Sequence, residues 1–389
     1  MILSTSSFNK AAVLLFVGLF CLSGCIGTKE DVRRNSSTRE EKFSIAVFPI
    51  ENLSGTIAPL KEIRGSLINQ LETRGFDVLE EEALEKFIAR NRVRYTGGID
   101  ETMAQAFRKQ TGIDGILITS LEFYSEMNPP KIALTSRLVS TDENPVILWI
   151  DGIGLAGDDS PGILGLGLIE DPKALLKKGV ETLTESLEDY FKKKTERRDV
   201  KSVKKKFQPK TYYRLDLLDP GRKYTVAVIP FFNRSERKNA GEVMVLQFIR
   251  NLKKFEYFDV IELGVIRREL LTLRIIMDEG ISLANADGLF ITLNADLILT
   301  GKVIDYQDYQ GIYGKPKVDF SAQLIERRSR KVVWSSINYN EGDDGVFFFD
   351  RGRVNTAHAM ASQMTQWIGK MILEDSKRGQ GGKGSSGQK

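Results

Sequence analysis

Ile45-Ala46-Val47-Phe48-Pro49-Ile50-Glu51-Asn52-Leu53-Ser54 is answered 181 residues later by Val226-Ala227-Val228-Ile229-Pro230-Phe231-Phe232-Asn233-Arg234-Ser235. Each stretch is an apolar, β-branched strand broken by proline and followed by an Asn-x-Ser turn. Working outward, Phe76–Glu80 matches Phe258–Glu262, and Asp114–Thr119 matches Asp296–Gly301, both at an offset of 182. A later strand carries Trp149 and ends in Gly157-Asp158-Asp159. Its twin carries Trp334 and ends in Gly342-Asp343-Asp344, at an offset of 185. Nearly constant spacing across separate segments means one unit duplicated in tandem, with small changes in loop length.

Between these landmarks the helical period appears. Leu60, Ile63, Leu67, Ile68 and Leu71 make one apolar face over Pro59–Thr73, answered by Val245, Ile249 and Leu252. Shorter helices are expected near Glu81–Arg92 and Asp100–Thr111, with Asp100 as an N-cap, and near Gly264–Arg274 and Ser282–Leu293. The dense apolar run after Asp114 marks a strand covered on both faces. Lys131–Ser140 and Lys317–Ile325 alternate, the pattern of a strand with one face in water. Helices at about Pro172–Lys193 and Asn355–Leu373 close the copies. The fold class is therefore α/β, with two tandem mixed-sheet domains of order β-α-β-α-α-β-β-β-α, at 43–193 and 224–373. Residues 194–223 read as a basic, then extended linker, and 374–389 as a disordered Gly/Ser/Lys/Gln tail.

The amino terminus has its own logic. An apolar run of ten, Ala11–Phe20, is too short to span a bilayer, which takes ~20 residues, and suits a signal peptide. Leu22-Ser23-Gly24-Cys25 then resembles a bacterial lipobox. The resemblance implies a signal peptide over 1–24, palmitate-type acylation at Cys25 and a flexible tether over 25–42. Ile26 after the cysteine favours the outer membrane, with the protein facing the periplasm.

Composition excludes much chemistry. Cys21 and Cys25 are the only cysteines and His358 the only histidine, so thiolate zinc sites and cysteine–histidine catalysis have no raw material. The net charge is +4, concentrated in Lys192–Lys206, where nine Lys/Arg face Glu196 and Asp199. Aromatics do not interleave that run, so a nucleic-acid groove is disfavoured, while a solvated linker or contact with anionic lipid or cell-wall polymer remains open. Gly162–Gly167 lacks the Lys-Ser/Thr ending of a phosphate loop. The adjacent Asp pairs read as turn formers, Trp149 and Trp334 as core, and His358 as a helix residue without a catalytic neighbour.

These segments together resemble a family of envelope lipoproteins that includes the curli secretion lipoprotein and the LpoB-type activators of penicillin-binding proteins. That family also includes relatives sharing a fold with the amino-terminal domain of TolB. The resemblance covers both copies and implies a non-catalytic binding or assembly module, with no cofactor, metal or small-molecule substrate. A self-assembling ring is the alternative, although the connections at Met127–Pro130 and Gln310–Pro316 are too short for membrane hairpins. The candidate partner-binding residues are Ile163, Leu164 and Leu166 in the first copy and Phe347, Phe348 and Phe349 at the same point of the second. These loops either fold onto the core or form a paired contact surface.

Overall fold

The computed structural model describes residues 43–159, 167–192, 204–215, 218–219, 221–276, 280–311, 314–346 and 352–378. In the first copy, β1 (Ser44–Val47) lies between β3 (Asp77–Val78) and β4 (Gly115–Ser125), parallel to both. Antiparallel β5 (Lys131–Ser140) and β6 (Ile147–Ala156) follow, so the order is β3-β1-β4-β5-β6, with the short β2 (Glu51–Asn52) also on β4. Pro49 ends β1, and Asn52 Oδ1 accepts from the Ser54 N–H at 3.0 Å, the expected turn. Helices α1 (Leu60–Thr73), α2 (Glu81–Arg90), α3 (Glu101–Thr111) and α4 (Pro172–Lys192) pack around this sheet. Asp100 caps α3, its side chain accepting from the Met103 N–H at 2.9 Å.

The second copy repeats the arrangement. Its strands are β7 (Thr211–Arg214), β8 (Tyr224–Val228), β9 (Phe232–Asn233), β10 (Phe258–Val260), β11 (Leu297–Gln307), β12 (Lys317–Glu326) and β13 (Lys331–Glu341). Its helices are α5 (Ala240–Leu252), α6 (Leu263–Thr272), α7 (Leu283–Thr292) and α8 (Ala357–Arg378). The sheet order is β10-β8-β11-β12-β13-β7, with β9 on β11. Equivalent hydrogen bonds recur. Asn233 Oδ1 takes the Ser235 N–H at 3.0 Å, and Asp159 and Asp344 cap matching turns by accepting from Ala156 N and Glu341 N. The Asp pairs are turn formers, as expected. The stretch read as a linker does more than connect. Its residues Thr211–Arg214 add the edge strand β7 to β13.

One element differs sharply between copies. Helix α1 buries Ile63, Leu67 and Leu71, a single stripe. Helix α5 occupies the same place in the second copy, yet eleven of its thirteen residues are buried. A helix buried nearly all round must be covered on opposite sides. The second copy's α5 and α8 lie on their own sheet with one side and against the first copy's sheet with the other. The largest core accordingly runs through Ala46, Phe48 and Ile118 of one copy into Val226, Met244, Phe248, Phe320 and Met360 of the other. Residues Lys42–Lys389 cluster as one compact unit.

This packing overturns one expectation. β5 alternates as though one face were wet, yet all ten of its residues are buried, Lys131, Thr135 and Arg137 included. Its twin β12 keeps the wet face, with Gln323 exposed. The first copy makes room for α8 with glycine. A Cβ at Gly152 or Gly154 would come within 2.6–3.0 Å of Thr135, Thr356 or His358. The equivalent positions on β13 are Ile337 and Tyr339, which nothing covers so closely.

Backbones also meet directly. A Cβ at Gly264, at the start of α6, would lie 2.3 Å from backbone atoms of Ile99. Gly264→Ala is therefore expected to cost ~2 kcal/mol of overpacking. Gly65→Ala, on the open side of α1 with nothing within 4 Å, should instead stabilise by ~0.5–1 kcal/mol. Urea midpoints of the two variants, compared at unchanged slope, check both signs.

Candidate functional site

The seam between the copies holds the unusual chemistry. Glu122 of β4 is fully buried. Its carboxylate accepts from Thr135 Oγ1 at 2.6 Å, from His358 Nδ1 at 2.6 Å and from Gln247 Nε2 at 3.2 Å. The far ring nitrogen of His358, Nε2, lies 3.3 Å from Arg250 Nη1. A guanidinium can only donate, so Nε2 accepts and Nδ1 carries the proton given to Glu122. Burial pushes the Glu122 carboxyl up, but His358, Thr135 and Arg237 outweigh it and hold it below the ordinary glutamate range.

The network continues outward. Arg250 clasps Asp151 of β6 through Nε and Nη2 at 2.9 and 2.8 Å, and Ser186 of α4 donates to the other Asp151 oxygen at 2.6 Å. Burial raises the Asp151 carboxyl, while Arg250, Ser186 and the Gly152 N–H pull it below the ordinary 3.8. Arg237 lies 4.4 Å over the Tyr306 ring, donates to the Glu122 carbonyl and sits 3.7 Å from Asp308. Asp308 Oδ1 in turn accepts from the Ala357 N–H at 2.6 Å and so caps α8. Burial raises the Asp308 carboxyl.

A second cluster sits at the other end of the seam. Arg137 of β5 and Glu262, just before α6, are both fully buried and meet at 3.0–3.3 Å. Arg137 also donates to the Gly97 carbonyl. Close by, Glu51 accepts from Ser120 Oγ at 2.6 Å, and burial raises its carboxyl. Tyr95 donates to Gly97 O at 3.0 Å, and its hydroxyl is pushed up by burial and by Glu51. Over this cluster, α2, α3 and the residues between them face α6 across a groove of about 460 Å³.

A Glu–His pair can act as a general base only where a substrate can reach the free ring nitrogen. Here that nitrogen is taken by Arg250 and the ring is buried, so the pair works as a bond between copies. His358 was expected to have no catalytic neighbour; the carboxylate it meets stands 236 residues earlier in the chain. Among the described residues no group of three His, Cys, Asp or Glu side chains is placed to hold a metal. No described helix is long and apolar enough to cross a membrane. Cys25, Ile163, Leu164, Leu166, Phe347, Phe348 and Phe349 all lie outside the described residues. So do Gly162–Leu166 of the glycine-rich stretch and residues 193–203 of the basic run. Trp149 and Trp334 are core, as expected.

No family model matches the chain, and no curated protein matches it. Among solved structures it is similar to the PelC dodecamer protein of Paraburkholderia phytofirmans, with 20% identity over 42% of this chain and 94% of that one, at a TM-score of 0.30. Lipoprotein GNA1162 from Neisseria meningitidis shows 20% identity over 37% of this chain and 99% of its own, at 0.28. The LpoB C-terminal domain from Escherichia coli shows 16% identity over 30% of this chain and 82% of its own, at 0.22.

Glu122→Gln should cost ~1.5–3 kcal/mol, because an amide replaces a carboxylate that accepts from His358, Thr135 and Gln247 and must turn an N–H onto one of those donors. Asp151 gives a pH test. Its carboxyl is held below 3.8 in the fold, so its contribution is complete above that value and lost as pH falls through the folded one. Asp151→Asn should therefore be ~2 kcal/mol less stable than wild type near pH 6, with the gap closing below pH ~3.8. Urea titrations at a series of pH values measure it.

Proposed function

We propose that the protein is a non-catalytic, lipid-anchored module of the bacterial cell envelope that binds another envelope protein. The observation that carries this reading is the seam. Its buried acids and bases are spent on one another, and they fix two copies of one domain into a single body. Such a body presents surfaces, not a reaction centre. The Leu22–Cys25 lipobox supports acylation at Cys25 and attachment to the outer membrane on its periplasmic side. Several acyl chains, each contributing ~0.8 kcal/mol per buried methylene, anchor stably where one is marginal.

In this reading the apolar loops of Ile163, Leu164 and Leu166 and of Phe347–Phe349 form one contact surface, introduced in each copy by an Asp-capped turn. A self-assembling ring is the second reading, and the open outer face of β11–β13, with Ile304 and Ile337 exposed, is what favours it. Native mass spectrometry separates the two, since a discrete ring of many subunits contradicts the monomeric adaptor. For the anchor, Cys25→Ser should move the protein from the membrane to the soluble envelope fraction. Unchanged membrane association would rule lipid attachment out.

A further inference from the structure

The groove between α2, α3 and α6 has a chemistry that no part of the seam uses. Its floor is apolar, from Phe87, Val93, Met103 and Ala106, and Leu271 stands on its rim with two thirds of its surface exposed. Four guanidinium groups line it: Arg92 and Arg94 from the first copy, Arg267 and Arg268 from the second. Arg268 is paired with Glu101 at 2.5 Å and Glu269 at 3.1 Å. Asp100 is the one carboxylate in the lining, and Arg267 acts on Glu51 from beyond ion-pair distance. Arg92, Arg94 and Arg267 have no carboxylate within 4 Å among the described residues. Arg267 lies 4.2 Å over the Tyr95 ring, and Tyr95 is itself held by the Gly97 carbonyl. That guanidinium is thus set in place before anything binds, which lowers the ordering cost of an ion pair.

The groove exists only because two copies meet. Gly98 and Gly264 approach so closely that a Cβ on Gly98 would fall 2.7 Å from Gly264 N, which sets the two walls at a fixed separation. Below them the Arg137–Glu262 pair ties β5 to the start of α6. Arg137 also donates to the Gly97 carbonyl between α2 and α3, so one guanidinium is bonded to both walls.

We propose that this groove binds an acidic segment of a partner protein, with an apolar side chain on the floor and neighbouring carboxylates on Arg92, Arg94 and Arg267. The proposal rests on the binding-module reading above. A volume of about 460 Å³ suits a few side chains. An apolar anchor beside carboxylates is what a polypeptide supplies, and a bare phosphate or a sugar acid would leave the floor unfilled. Planar guanidiniums match carboxylates in paired hydrogen bonds.

The test uses the purified full chain in detergent and fluorescent twelve-residue peptides that alternate Glu with Leu or Phe. Saturable binding is expected, weakened by salt, and lost when every Glu is Gln. Arg94→Gln and Arg267→Gln should each weaken it about tenfold while circular dichroism stays unchanged. Equal binding of the Gln peptide, or indifference to both substitutions, overturns the proposal. So does displacement of the peptide by phosphatidylglycerol vesicles but not by phosphatidylcholine vesicles, which would assign the groove to lipid. A photo-cross-linker at position 271 and another at 337 in intact cells separate the two levels. Protein adducts at 271 with no preference for acidic peptides sink the ligand class alone, whereas no protein adduct from either position sinks the binding module as well.

Discussion

Everything in this molecule depends on one pair of helices having two jobs. Helices α5 and α8 complete the sheet of their own copy and at the same time cover a face of the other copy's sheet. That demand explains why α5 is buried around nearly its whole circumference while α1 has a single buried stripe. It also explains Gly152 and Gly154, which leave room for α8 at positions where the second copy carries Ile337 and Tyr339. Each apolar side chain buried in this way contributes ~1.5–3 kcal/mol. The copies are consequently held by a shared core and not by a thin interface.

A shared apolar core would tolerate sliding, because dispersion contacts are not directional. The polar seam removes that freedom. Glu122 needs His358, Thr135 and Gln247 at hydrogen-bond distance, and Arg137 needs Glu262. Displacement by one strand residue would leave charges buried and unpaired, at a cost of several kcal/mol. The network is thus best understood as a key for relative position, with the surrounding hydrophobic packing providing most of the stability.

The duplication, the element order and the turn chemistry were legible in the sequence, because hydrophobic period and Asn-x-Ser turns are local signals. The relation between the copies was not. The alternation of Lys131–Ser140 shows that one face is polar but cannot say that Arg137 and Lys131 have partners 125 and 178 residues further on. For the same reason His358 looked isolated. Two signals pointed at the truth: the dense apolar run Val243–Leu246 with Phe248 and Ile249, wider than the stripe of α1, and glycines on β6 where the second copy has large side chains. Tyr212 and Tyr213, in a stretch read as connector, pair on β13, since four extended residues between basic and Pro/Gly-rich flanks carry little periodicity. The apolar loops chosen as the binding surface fall outside the described residues, whereas the groove needs side chains from both copies and no linear motif could reveal it.

The 236 residues between Glu122 and His358 also set a schedule. At synthesis rates of about 5–20 residues per second, roughly 10–50 s separate the appearance of the two side chains. Until α8 appears that face of the first sheet is incompletely covered and Glu122 lacks His358, while Arg137 waits 125 residues for Glu262. The amino-terminal half is therefore committed late, and its final structure waits on the last helix of the chain. A truncation that removes α8 would be felt first near residue 122, in the half of the protein already made.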